Sequence, residues 1–137
     1  MADRKQQRHE RLTRLLEAMR HLKRVQEMRV RAHEARMLQL QERRDMLLAA
    51  FDSTPMRAAG LLNLLRRNLD DAVRQAKRTQ SAKELDAAVL RERHMQLKRI
   101  ERLSHAAGRE LRESRGRDAL LDAVEQAVRR ARGKQQR

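Results

Sequence analysis

Pro55 is the only proline in a chain of 137 residues, and no glycine precedes Gly60. Nothing ahead of Pro55 therefore obliges an α-helix to stop, since glycine and proline are the residues that most weaken a helix interior. The sequence leaves room for two long helices and one obligatory turn. Around the proline, Phe51-Asp-Ser-Thr-Pro55 reads as that turn. Thr54 is placed to serve as N-cap and Pro55 as the first residue of the next helix, where its missing N–H costs nothing. A connection this short predicts that the second helix folds back antiparallel to the first.

Apolar spacing supports the same plan. From Leu12 the steps of three and four run through Leu15, Leu16, Met19, Leu22, Val25, Met28, Ala32, Ala35 and Leu38, then resume at Met46, Leu47 and Leu48. That is the period of one helix face, with a slip near Val25 and interruptions at Gln39 and Glu42. Beyond the turn, a heptad seam is predicted through Leu62, Leu65, Leu69, Ala72, Ala76, Thr79, Leu90, Leu97, Ile100, Ala107, Leu111, Leu121 and Val128. Lys83, Asp86 and Arg93 occupy seam positions in its middle. The expected fold is an all-α, long antiparallel two-helix coiled-coil hairpin in a single domain, residues 1–137. Its parts are a helix over 4–50, a turn over 51–55, a helix over 56–131 and a basic tail over 129–137. Two places would allow the second helix to break or kink. Ser81 with Glu84 makes a capping box near residue 80, and Gly108 and Gly116 weaken the stretch 108–116. At 1.5 Å per residue, helices of about 70 and 110 Å are unequal, so the second should overhang the first.

Composition narrows the class. Charged residues make up 39% of the chain, and one Phe is the only aromatic residue, so the large core fillers of a globular domain are missing. Leu, Ala, Met, Arg, Glu and Gln are all good helix formers. Disorder is the rival for a chain this charged, and the periodic Leu content argues against it. With no Cys there is no disulfide framework. The longest charge-free stretches, Met46–Phe51 and Ala58–Leu65, fall far short of the ~20 residues that span a bilayer, so no membrane insertion is expected. The N-terminal residues lack the apolar segment of a secretory signal, and a cytoplasmic protein is the expectation.

A formal charge of +15 invites a polyanion as partner. Its distribution tempers that reading. Residues 1–50 carry +6, residues 51–107 carry +5 and residues 108–137 carry +4, so the excess coats the molecule instead of forming one patch. Acid-first i,i+4 pairs relieve it (Glu10–Arg14, Glu27–Arg31, Asp70–Arg74, Glu113–Arg117). No aromatic platform for stacking bases and no DNA-reading motif is present, so nucleic acid is a possible partner and a protein the favoured one.

No catalytic constellation emerges. The five His residues, at 9, 21, 33, 94 and 105, have no metal-ligand spacing and read as solvated surface. The glycines form no phosphate cradle, the Ser residues lack a base, and two helices enclose no pocket for a small substrate. No catalytic residue, metal, cofactor or small-molecule substrate is expected.

Late in the second helix stands Arg109-Glu-Leu-Arg-Glu-Ser-Arg-Gly-Arg-Asp-Ala-Leu-Leu-Asp-Ala-Val124. This charged Arg/Glu run, followed by a Leu-Asp pair and an apolar turn, resembles the end of the FliJ/YscO-type proteins of flagellar and type III secretion export. Glu113, Arg115, Leu121 and Asp122 match the pattern, and Gly116 departs from it. The resemblance implies a non-enzymatic stalk or adaptor that sits in a hexameric export ATPase ring and couples it to the export gate. Partner contacts are then expected at Glu113, Arg115, Leu121 and Asp122 and at the basic Arg129, Arg130 and Arg132. The alternatives are a basic coiled coil that associates with nucleic acid and a generic coiled-coil scaffold.

Overall fold

The computed structural model describes residues 2–135. The fold is all-α: two helices, packed against each other, with α1 at Ala2–Ser53 and α2 at Ala59–Gln135. α1 exceeds its expected bounds at both ends, whereas α2 starts later than the expected residue 56 and runs past the expected residue 131, so the connection shifts to residues 54–58. Thr54 and Pro55 therefore do not open α2, and Phe51 belongs to the last turn of α1. The reason lies in the residue that precedes proline. Thr54 is driven out of the helical region by the Pro55 ring, so α1 must end at Ser53. Its last turn has no basic side chain. Instead, the hydroxyls of Ser53 and Thr54 both donate to the Ala50 carbonyl, which supplies partners for a group that a helix end leaves open. A turn closed by Ala58 N–H donating to the Pro55 carbonyl (3.0 Å) leads into α2, whose first bond runs from Leu62 N–H to the Ala58 carbonyl.

α2 passes through both suspected breaks. At residue 81 the Ser hydroxyl donates back to the Lys77 carbonyl at 3.1 Å, within the helix, and does not cap a new one. Gly108 and Gly116 lie inside the helix, neither with a positive φ. Gly108 has a packing role: a Cβ there would come 3.3 Å from His9 Nε2, so the missing side chain lets the His9 ring lie close against α2.

The chain divides into two compact units, Met1–Arg20 with Met95–Arg137, and His21–His94. Each holds a segment of both helices. In the first unit His9 lies by Gly108, and Arg20 reaches Glu101 at 3.8 Å. Advancing along α1 thus retreats along α2. Met19, Leu97, Ala107 and Leu111 are buried here, with Leu12, Leu16 and Ile100 half-buried beside them.

In the second unit Gln26 meets Asp86 and Arg36 meets Gln75, again antiparallel. The seam of α2 follows its expected register, through Leu62, Leu65, Leu69, Ala72, Ala76 and Thr79 to Lys83, Asp86 and Leu90. That of α1 does so only in part. Val25 and Leu47 of the expected stripe are half-buried, but Lys23, Gln26, Val30, His33, Met37 and Leu40 turn inward with them, while Leu22, Met28 and Leu38 of the expected stripe are exposed. A strict heptad carried on from Leu12 and Met19 lands on Gln26, His33 and Leu40. The apolar residues drift off that line because an α-helix has 3.6 residues per turn and steps of three rotate around it.

The register predicts unequal effects for two nearby leucines. Leu40 is 2% exposed and Leu38 61%. Leu40→Ala should lower stability by about 2 kcal/mol or more, and Leu38→Ala by no more than ~0.5 kcal/mol. Urea unfolding followed by helical circular dichroism checks both, and equal losses would refute the register.

Candidate functional site

Two features stand out against this scaffold, a polar cluster within the seam and an unpaired stretch of helix. The cluster centres on Asp86. Gln26, itself 5% exposed, donates from Nε2 to both the Asp86 carbonyl (2.9 Å) and Oδ1 (3.0 Å). His33 Nε2 approaches Asp86 Oδ2 at 2.6 Å, an ion pair whenever the imidazole is protonated. One carboxylate on α2 thereby bridges two seam positions of α1 that lie one heptad apart. The neighbouring Lys83–Glu34 pair (3.7 Å) ties the same stretch from the other side of the sequence.

The hydrogen bond from His33, and after it that from Gln26, holds the Asp86 carboxyl below its ordinary value of 3.8. Partial burial opposes this shift, and the charges of His33 and Arg29 reinforce it. The spacing of the His residues predicts a solvated surface position for His33. It is instead part-buried and partnered, and His9 is part-buried beside Gly108, whereas His21, His94 and His105 are exposed. The Asp86 seam position was visible in the heptad. Its partners are not legible there, because Gln26 and His33 are polar and lie off the apolar stripe.

Polar groups placed in a seam cost stability and fix register. Among the described residues no group of three or more His, Cys, Asp or Glu side chains is arranged to hold a metal ion. The grooves beside the seam are open, one of them lying along Met37, Leu40 and Arg44 of α1 and Ala72, Ala76 and Gln80 of α2. No helix among the described residues is long and apolar enough to cross a membrane.

The second feature is the end of α2. From Arg115 to Gln135 every residue is exposed. All seven expected contact residues are exposed on α2, five of them in this stretch beside Arg115, with Glu113 just before it. The helix aligns Arg115, Asp122 and Arg129 at steps of seven, with Leu121 and Arg132 on the adjoining faces. Glu113 falls on the opposite side and does not join them. Of the turn residues, Phe51 and Pro55 are exposed and Thr54 is part-buried.

The ion pairs formed along the helices also differ from those expected: Lys23–Glu27 at 3.7 Å and Arg44–Asp45 at 3.1 Å are intrahelical, and Arg20–Glu101 joins the helices. Such exposed pairs contribute little to stability. Compared with family models, curated proteins and solved structures, the chain matches none.

Because the folded-state value of Asp86 is depressed, its contribution to stability is present above about pH 4 and lost as pH falls through the lowered value. Asp86→Asn should therefore lower the urea midpoint at pH 7, and the gap to the unaltered protein should close in strong acid. A gap that persists unchanged at low pH would mean that the carboxylate charge is not what the cluster uses.

Proposed function

We propose that this chain is a non-enzymatic coiled-coil adaptor of the export-stalk class, binding a hexameric export ATPase and its export gate in the cytoplasm. One observation carries the reading. α2 outruns its partner by an exposed, amphipathic arm, and that arm holds most of the residues in which the sequence resembles FliJ/YscO-type proteins. The exposed Leu121, Asp122 and Arg129 of the arm offer a protein partner both apolar and charged contacts.

A second reading is favoured by the exposure of Arg129, Arg130, Arg132 and Lys134 together. A polyanion would find them without obstruction, and its binding would fall steeply with salt.

Affinity capture with the full chain from a cell that makes a type III export apparatus separates the two. The adaptor reading predicts recovery of the ring ATPase and a rise in its hydrolysis rate when the purified chain is added. That rise should be lost on removal of residues 115–137. Recovery of nucleic acid alone, with no effect on the ATPase, would overturn it.

A further inference from the structure

The exposed arm of α2 carries a charge pattern that goes beyond what a solvated helix end needs. Leu120, Leu121, Val124 and Val128 are 66, 62, 53 and 44% exposed. Steps of 100° per residue place all four within about 100° of one another around the helix, a continuous apolar stripe. Ala127 and Ala131 extend it. The charges divide along the length of the arm. Residues 118–125 hold Asp118, Asp122 and Glu125 and no base, whereas residues 129–134 hold Arg129, Arg130, Arg132 and Lys134 and no acid. Asp118 and Glu125 also edge the stripe on the same side as Arg129 and Arg132.

A helix end accounts for part of this, since cations in the last turn favour the macrodipole, as Arg132 and Lys134 do. It does not account for an acid-only block directly before them, alongside four unpaired apolar side chains. A stripe flanked by opposite charges in its two halves is complementary to itself reversed. From this we infer that the arm pairs, antiparallel, with the same arm of a second copy of this chain. Two-fold symmetry then sets each acidic block against the partner copy's basic block, twice over, and covers both stripes at once. A parallel pair would set acid on acid and base on base, with a repulsion that antiparallel pairing avoids.

The pairing concerns the chain by itself, so its failure would leave the adaptor reading standing. A partner protein that engages the arm would have to displace the second copy.

Sedimentation equilibrium of the full chain, from micromolar to submillimolar concentration, should show the 16.2 kDa monomer giving way to twice that mass. The triple variant Asp118→Arg, Asp122→Arg, Glu125→Arg should remain monomeric with unchanged helix content. So should Arg129→Glu, Arg130→Glu, Arg132→Glu, and an equimolar mixture of the two should dimerise. Because the chain has no cysteine of its own, orientation is read from Arg117→Cys and Gln135→Cys, which share a helix face and which the register that opposes the two charge blocks sets against each other. Antiparallel pairing predicts a disulfide between the two variants when mixed, and little within either alone. A monomer at every concentration, a dimer indifferent to the charge reversals, or an Arg117→Cys variant that cross-links to itself would each overturn the inference.

Discussion

The bridge from Asp86 to Gln26 and His33 is the constraint on which the register of the second unit depends. A two-helix seam has a thin core, and in this unit Leu40 and Ala72 are its only buried apolar residues among those described. Such a core tolerates sliding, since one Leu replaces another at the next turn with little change in buried area. A carboxylate that accepts from two groups on the facing helix does not slide. Moving it by one turn would leave the amide of Gln26 unpaired in the seam, and an unsatisfied buried donor costs more than the bond itself gains. The cluster therefore contributes specificity more than strength.

The turn acts with it. Pro55 ends α1 by what it forbids at Thr54, and the two hydroxyls at 53 and 54 satisfy the carbonyl that the ending leaves open. With the turn fixed at one end of the unit and the Asp86 bridge within it, the pairing of the residues between them follows. Gly108 does comparable work in the other unit, where it admits the His9 ring against α2.

Much of this was legible in the sequence, and the part that was not has a physical cause. The two helices, the turn near Pro55, the seam of α2 and the unpaired end of α2 follow from spacing and from the absence of breakers. The seam of α1 does not, because its middle is polar. Val25, Met28 and Leu38 mark an apolar line more regular to the eye than Gln26, His33 and Leu40, yet only the latter continue the heptad of Leu12 and Met19. A polar residue reveals itself as a seam residue only when its partner on the other helix is known. For the same reason His33 reads as solvated from sequence alone. The expected contact residues of the arm are exposed, but Glu113 does not share a face with Arg115, Asp122 and Arg129.

The register of α1 in the second unit is the central claim, and nuclear Overhauser contacts of the Gln26 side-chain amide test it most directly. With Gln26 Nε2 at 2.9 Å from the Asp86 carbonyl, those amide protons should show cross-peaks to the backbone protons of Asp86 and Ala87. Absence of these cross-peaks, with contacts to α2 arising instead from Met28 or Leu38, would contradict the account.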